Sequence, residues 1–394
     1  MYKRTVYQTV FDRLNEPRRF IQVIMGPRQV GKSTVANQVL QDLHKPYLHY
    51  SADAVPATNL SWISDCWQAA RLQMRAQQLA ELILCIDEIQ KIRNWSEMVK
   101  KEWDADSLNQ VNIKVLLLGS SRVLLERGLS DSMMGRFEVI RMSHWTFPEM
   151  REAFDLSLEQ FMYFGGYPGA AALLKNEQRW KEYIGSSIID ATINKDIIMD
   201  APVNKPALLR QTFELGAAYS GKLLSLTKLL GVLQDAGNTV TLSGYLNLLN
   251  ASGLLAGLQK FSMDMARRKA SIPKFQVYNN ALNTVYMNVE MKQIIADSAR
   301  WGHVFESSVG AHILSQAFVH GYEAYYWRDG NLEVDFVLRK NGKVVGIEVK
   351  SNNDGNTKGL QAFKDRFTPS CTLVVGQNGL PVGDFLSMNP ALLF

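Results

Sequence analysis

The residues best able to do chemistry lie toward the two ends of the chain. Gly26-Pro-Arg-Gln-Val-Gly-Lys-Ser33 has the spacing GxxxxGK(S/T). Such a loop cradles phosphate oxygens on its backbone amides, because glycine lets the main chain approach closely and the next helix adds its own N-terminal amides. The positions expected to hold a nucleotide are Gly26, Pro27, Arg28, Gln29, Val30, Gly31, Lys32, Ser33 and Thr34. Within them, Lys32 is expected to bridge the β- and γ-phosphates of ATP and Ser33 to place its hydroxyl on Mg2+. Downstream, Leu82-Ile-Leu-Cys-Ile-Asp-Glu88 is an apolar run ending in two acids. Two acids after a strand ordinarily open a loop or cap a helix. With a P-loop upstream, Asp87 is expected to bind the magnesium and Glu88 to orient the attacking water. A third run, Val115–Leu118, delivers Gly119-Ser-Ser-Arg122 to the same sheet edge, so either Ser120 or Ser121 is expected to hydrogen-bond the γ-phosphate.

Near the other end, Arg339-Lys-Asn-Gly-Lys-Val344 places Asn-Gly between two apolar-alternating runs, a strong signal for a two-residue hairpin loop. Counting outward, Lys340 faces Lys343, Asp335 faces Glu348, and Glu333 faces Lys350. Val334, Phe336, Ile347 and Val349 then line the opposite, buried face. Two carboxylates about 5 Å apart repel unless a cation, a proton or a basic neighbour compensates. A divalent ion bridging Asp335 and Glu348, with Lys350 stabilising charge beside it, would suit metal-dependent phosphodiester cleavage. The alternative is an exposed sheet face on which Lys350 pairs with Glu333.

These groups need a scaffold. At 394 residues the chain is long enough for two to four compact units. Its 46% hydrophobic and 21% charged content is that of packed domains rather than disordered chain. In the first third, Phe20–Met25, Leu82–Ile86 and Val115–Leu118 read as buried parallel strands separated by helices. From about Ser157 to Pro206 the pattern is helical, broken by a turn at Phe164-Gly-Gly-Tyr-Pro168. Three helices follow: one after residue 206, one over Ser225–Leu233, and a third beyond the turn Ala236-Gly-Asn238, capped by Thr241 and ended near Gly253. With a strand over Leu254–Phe261, they suggest a winged helix-turn-helix. The third helix, Leu242–Ala251, carries no Lys or Arg, so base contact would fall to Ser243, Asn247 or Asn250. Phosphate attraction would fall to Lys260 and Arg267-Arg-Lys269. A helix near Gly302–Phe318 and strands at Leu332–Arg339 and Lys343–Lys350 complete a final α/β segment.

Net charge is only +5, a mild lean toward polyanions. Cys66, Cys85 and Cys371 are far apart, which rules out a disulfide framework and a zinc spacing and fits a reducing compartment. The six histidines have no metalloprotease spacing. No apolar leader or stretch of about 18 apolar residues is present, so no membrane partner and a cytoplasmic location are expected.

Taken together, GPRQVGKS, ILCIDEIQK, LLLGSSR and MMGRFEVI resemble the AAA+ ATPases that carry a DUF4143-type C-terminal region. The resemblance covers nearly the whole chain. It implies that Arg136, of the Gly-Arg pair, serves as an arginine finger on a neighbouring subunit's nucleotide, and hence a homo-oligomer. A surface ion pair is the simpler alternative for that arginine. The Asp…Glu-Xaa-Lys string, here Asp335, Glu348 and Lys350, is similar to the PD-(D/E)XK nuclease superfamily, in which Glu306 falls at the position of a third acid and metal ligand.

The expected architecture is α/β and multidomain. A P-loop AAA+ core over 1–150 leads to a helical lid or linker over 151–206, a winged helix-turn-helix over 207–265 and a restriction-endonuclease-like α/β domain over 266–394. The expected function is ATP binding and hydrolysis coupled to a DNA-acting, metal-dependent nuclease domain with a second divalent metal. The alternative is a nucleotide-switched regulatory or signalling ATPase whose last domain is a catalytically silent binding module.

Overall fold

The structure is a computed structural model that describes residues 1–394 except 121–124, 126–127, 130–132, 199–202, 234–237, 265–267, 269–270 and 353–356. The chain forms two compact units, Met1–Met142 and Ser143–Phe394.

In the first unit, β1 (Ile21–Met25), β3 (Leu82–Asp87) and β4 (Ile113–Gly119) are buried along their whole lengths. Runs that are apolar on both faces can be accommodated only inside a sheet covered on both sides. They form the centre of a five-stranded parallel sheet in the order β2-β3-β4-β1-β5. The edges are β2 (Tyr47–Ser51) and β5 (Phe137–Arg141), neither of which was expected from the sequence. Helices Lys32–Asp42 and Val6–Asn15 close one side around Val35, Val39, Ile83 and Leu116.

Helices Ser61–Ala76 and Trp95–Leu108 are joined by a buried polar network. Arg71 reaches both Glu102 at 2.6 Å and Asp106 at 2.7 Å, and the indole of Trp67 donates to Asp106 at 3.0 Å. Each buried carboxylate thus has a charged donor, which is the condition under which burial of charge is tolerated.

The second unit opens with short helices, Phe147–Phe154, Leu158–Phe164 and Glu177–Tyr183, and widened helical turns over Ile184–Ile198. The Phe164-Gly-Gly-Tyr-Pro168 turn is present, with Gly165 at φ +71°. Next come helices Pro206–Ala218, Leu226–Val232 and Thr239–Ala251. The third is capped by Asn238, not Thr241: the Asn238 side chain accepts from the Thr241 amide at 2.9 Å. Asparagine one turn earlier satisfies the Thr241 amide, one of the first-turn donors that has no intrahelical partner. The turn expected at Ala236 and Gly237 lies outside the described residues. β6 (Leu255–Leu258) pairs antiparallel with β7 (Lys274–Val277).

A four-stranded sheet, ordered β11-β10-β9-β8, completes this unit. β8 (Glu323–Asp329), β9 (Leu332–Lys340) and β10 (Lys343–Lys350) are antiparallel, and β11 (Cys371–Gly376) runs parallel to β10. Asn341 and Gly342 have φ of 48° and 80°, as a two-residue hairpin loop with both residues left-handed requires. The register follows the expected count from Lys343–Lys340 to Ile347–Phe336.

Beyond that pair the expectation needs correction. The β8–β9 pairing shifts register between Tyr325 and Trp327, so that Val334 and Val337 share one core with Trp327, Leu360 and Phe363. Phe336 lies instead against Gly310 of the helix Ser298–His320. A bulge breaks the two-residue alternation, so Val334 and Phe336 do not line the same face. Among the described residues no helix is long and apolar enough to cross a membrane.

Candidate functional site

β1 ends at Met25 and the helix begins at Lys32, so the loop between them lies at the carboxyl edge of a parallel sheet. Gly26 is required by crowding, since a Cβ there would sit 2.2 Å from the Met142 carbonyl oxygen. Gly31, at φ 90°, supplies the left-handed turn into the helix. Val30 is fully buried and anchors the loop, and the nearly buried Arg4 donates to its carbonyl at 3.1 Å. This role for Arg4 was not expected from its place in the sequence. Pro27, Arg28 and Gln29 form the outer part of the loop, and Thr34 is exposed on the first helical turn.

The Lys32 ammonium donates to the carbonyls of Gly26 and Pro27 at 2.9 and 2.8 Å. Ser33 Oγ donates to Asp87 Oδ2 at 2.5 Å, while Asp87 Oδ1 accepts from the Glu88 amide at 2.8 Å. Burial pushes the Asp87 carboxyl up, aided by the Glu88 charge and opposed by the Ser33 hydrogen bond and Lys32. Glu88 has a left-handed backbone, and its Oε2 accepts from Ser120 Oγ at 2.9 Å and Gln90 Nε2 at 2.6 Å. Gln90 was not anticipated; its mark in the sequence is only its place two residues after the acid pair. Ser121 lies outside the described residues. Lys32, Ser33, Asp87, Glu88 and Ser120 therefore meet at one edge of the sheet. A hydroxyl and a carboxylate are the hard oxygen donors that suit Mg2+, so these residues fit the ion. Arg136 stands in a two-pronged ion pair with Asp104, at 2.8 and 3.0 Å.

In the second unit, Asp335 does not simply face Glu348. Its Oδ2 accepts from the Val349 amide at 2.7 Å, and the regular ladder stops at the preceding pair, Ile347–Phe336. The cation beside it is Lys274 of β7. Its ammonium is 2.7 Å from Glu306 Oε1, 3.6 Å from Asp335 Oδ1 and 3.2 Å from the Asp335 carbonyl, and it stands 4.8 Å from the centre of the Phe336 ring. Lys274 is only 1% exposed. Burial opposes its charge, but the Glu306 and Asp335 carboxylates outweigh that and hold the ammonium well above its ordinary range.

Lys350 pairs with its strand neighbour Glu348 at 3.0 Å instead of with Glu333. Burial and the Asp335 charge push the Glu348 carboxyl up, and its buried Oε2 has no hydrogen-bond partner among the described residues. Glu306 and Asp335 thus share the Lys274 ammonium and Glu348 pairs with Lys350, so each acid expected to hold the metal faces an ammonium group instead. Among the described residues no group of three or more His, Cys, Asp or Glu side chains is arranged to hold a metal ion. The donor set as it stands does not fit the second metal.

The helix Thr239–Ala251 exposes Ser243 and Asn247, whereas Asn250 accepts from the Tyr278 hydroxyl at 2.8 Å.

A phosphate-binding loop between strand and helix of a parallel sheet, with an acid pair at the end of the neighbouring strand, defines a P-loop nucleotide-binding domain of α/β type. Comparison with known families agrees with this. An AAA domain matches residues 18–151, a domain of unknown function (DUF8612) matches 155–293, and another (DUF4143) matches 301–390. The chain thus carries an AAA domain near its N-terminal end and a DUF4143 region near its C-terminal end.

Two relatives, each described only as an uncharacterized protein, span most of it. One from Haemophilus influenzae is 23% identical over 375 residues, covering 88% of this chain and 87% of its own. One from Methanocaldococcus jannaschii is 20% identical over 367 residues, covering 87% and 78%. Among solved structures, a variant of Thermotoga maritima RuvB is similar at 17% identity and a TM-score of 0.34, over 64% of this chain and 86% of that one. The Aeropyrum pernix ORC1 protein in complex with DNA is similar at 14% identity and a TM-score of 0.31, over 69% and 87%.

Proposed function

We propose that the chain hydrolyses ATP with magnesium in its first unit and that its second unit is a binding module, directed at DNA, whose engagement follows the nucleotide state. The observation that carries the first half is the Ser33–Asp87 hydrogen bond, which joins the loop helix to the end of β3 with Glu88 adjoining. The loop amides and Lys32 would bind the phosphates. Ser33 and Asp87 would hold magnesium, which supplies charge neutralisation between phosphate oxygens. Glu88 would orient the attacking water, with Ser120 and Gln90 fixing its carboxylate. Phosphate release measures this. Lys32→Ala is expected to abolish it, and undiminished release by that variant would remove the proposal.

For the second unit, Lys274 between Glu306 and Asp335 supports the silent module over the metal-dependent nuclease. DNA remains the proposed partner, met by the three helices and ribbon over residues 206–277 with Lys260 and Arg268 nearby. Supercoiled and linear DNA are incubated with Mg2+ or Mn2+, with and without ATP. The module reading expects no cutting and an ATPase that responds to DNA. Cutting by wild type that Asp335→Asn abolishes would restore the nuclease. An ATPase indifferent to DNA would shift the partner to another class. We further propose that Arg136 leaves Asp104 to act on a neighbouring subunit's nucleotide in a homo-oligomer. ATPase turnover per chain that is independent of concentration, in both wild type and Arg136→Ala, would count against it.

A further inference from the structure

Lys274 follows Pro273 in a strand of four residues, and its main chain is fixed on both sides. It pairs with Leu258 across the β6–β7 ribbon and bridges to Leu223. Its side chain cannot reach water. Burying an ammonium group costs several kcal/mol unless charge and hydrogen bonds compensate, and here Glu306 and Asp335 do so. Glu306 and Asp335 share the one ammonium of Lys274, while Glu348 pairs with Lys350. Without Lys274 those two acids would be left with two negative charges between them, the charge of one divalent ion.

We infer that Lys274 is a built-in cation, its ammonium standing between Glu306 and Asp335 where a divalent ion could otherwise be held, and that removing it lets those two carboxylates bind a divalent cation. This rests on the reading of the second unit as a module without metal chemistry. The two carboxylates are drawn together by the fold of β9 and the long helix, and some cation must stand between them. Lysine supplies one positive charge that cannot exchange or be chelated, at the cost of any Lewis-acid chemistry.

The test is Mn2+ binding to the nucleotide-free full-length chain. Wild type is expected to show no specific site. Lys274→Met, which keeps much of the aliphatic stem beside Phe336, is expected to bind one Mn2+ per chain at least about tenfold more tightly, and a further Glu306→Gln to cancel the gain. A folded Lys274→Met that binds no better than wild type overturns the inference, as does a tight wild-type site lost in Asp335→Asn. A measurement on wild type alone guards against a variant that does not fold. With 15N-labelled lysine, a slowly exchanging ammonium signal is expected that shifts in Glu306→Gln. Its absence overturns the assignment. DNA cutting by wild type would sink the module reading, whereas a failure of Lys274→Met to gain Mn2+ with wild type inert toward DNA would sink this inference alone.

Discussion

Ser33 Oγ donates to Asp87 Oδ2 at 2.5 Å, linking two residues 54 positions apart. The bond pre-arranges the two oxygen donors proposed for magnesium, so they should behave as one unit. Ser33→Ala and Asp87→Asn are each expected to lower magnesium-dependent phosphate release by about a hundredfold or more, and the double variant by little beyond the worse single. Losses that multiply would assign the two residues separate roles.

Glu88 is held by Ser120 and Gln90. Glu88→Gln should retain ATP affinity and lose about 10²- to 10⁴-fold in kcat, the range for a lost general base. Gln90→Leu should lower kcat by about tenfold with KM little changed, since it only positions the carboxylate. A change confined to KM in Gln90→Leu would place that residue in ground-state binding.

Glu348 is buried, its carboxyl is pushed up, and among the described residues one of its oxygens lacks a partner. The folded chain therefore holds this proton more tightly than the unfolded chain does, and ionisation works against folding as pH rises. Glu348→Gln should stabilise the protein at neutral pH by about 1–3 kcal/mol, the cost of an unsatisfied buried group. The gain should shrink as pH falls through the raised folded value and vanish below the ordinary glutamate range, where both proteins are neutral there. Thermal melts across pH 4–8 measure it, and a destabilised variant at pH 7 would show that the Lys350 pair dominates.

At Gly165, φ is +71° and an added Cβ would lie 1.9 Å from Asn279 Oδ1, which accepts from the amides of Gly166 and Ala281 at 3.2 Å each. Gly165→Ala is expected to cost about 3 kcal/mol from backbone strain and overlap. Asn279→Ala should cost about 1–3 kcal/mol through unpaired amides. Because the second change removes the clash of the first, the double variant should lose less than the sum in denaturant unfolding. Strict additivity would refute the contact.

How much could be read beforehand follows from where each cause resides. β1, β3 and β4 were legible because total burial demands unbroken apolar runs. β2 and β5 are edges, half-covered, and carry His49 and Tyr50 or Glu138 and Arg141 where such runs would be. The hairpin register was legible because Asn341-Gly342 specifies its own turn. The sidedness of Phe336 was not, since the shift arises in pairing with β8, far from any local signal. Asp87, Glu88 and Ser120 converge as their strand positions implied, whereas Gln90 enters by a tight turn after the strand. Lys274 was invisible: nothing in Ile272-Pro-Lys-Phe275 marks a lysine destined for the interior, because its partners come from a helix and strands 32 or more positions later.

The ammonium of Lys274 belongs to the stretch matched over 155–293, and the acids it meets belong to the stretch matched over 301–390. The recognised sequence boundary therefore runs through a buried ion-pair cluster, and inheritance of either half alone would leave its charges without their partners. A fragment beginning near residue 300 would present Glu306 and Asp335 without the ammonium that now faces them, and would be prone to gather adventitious metal.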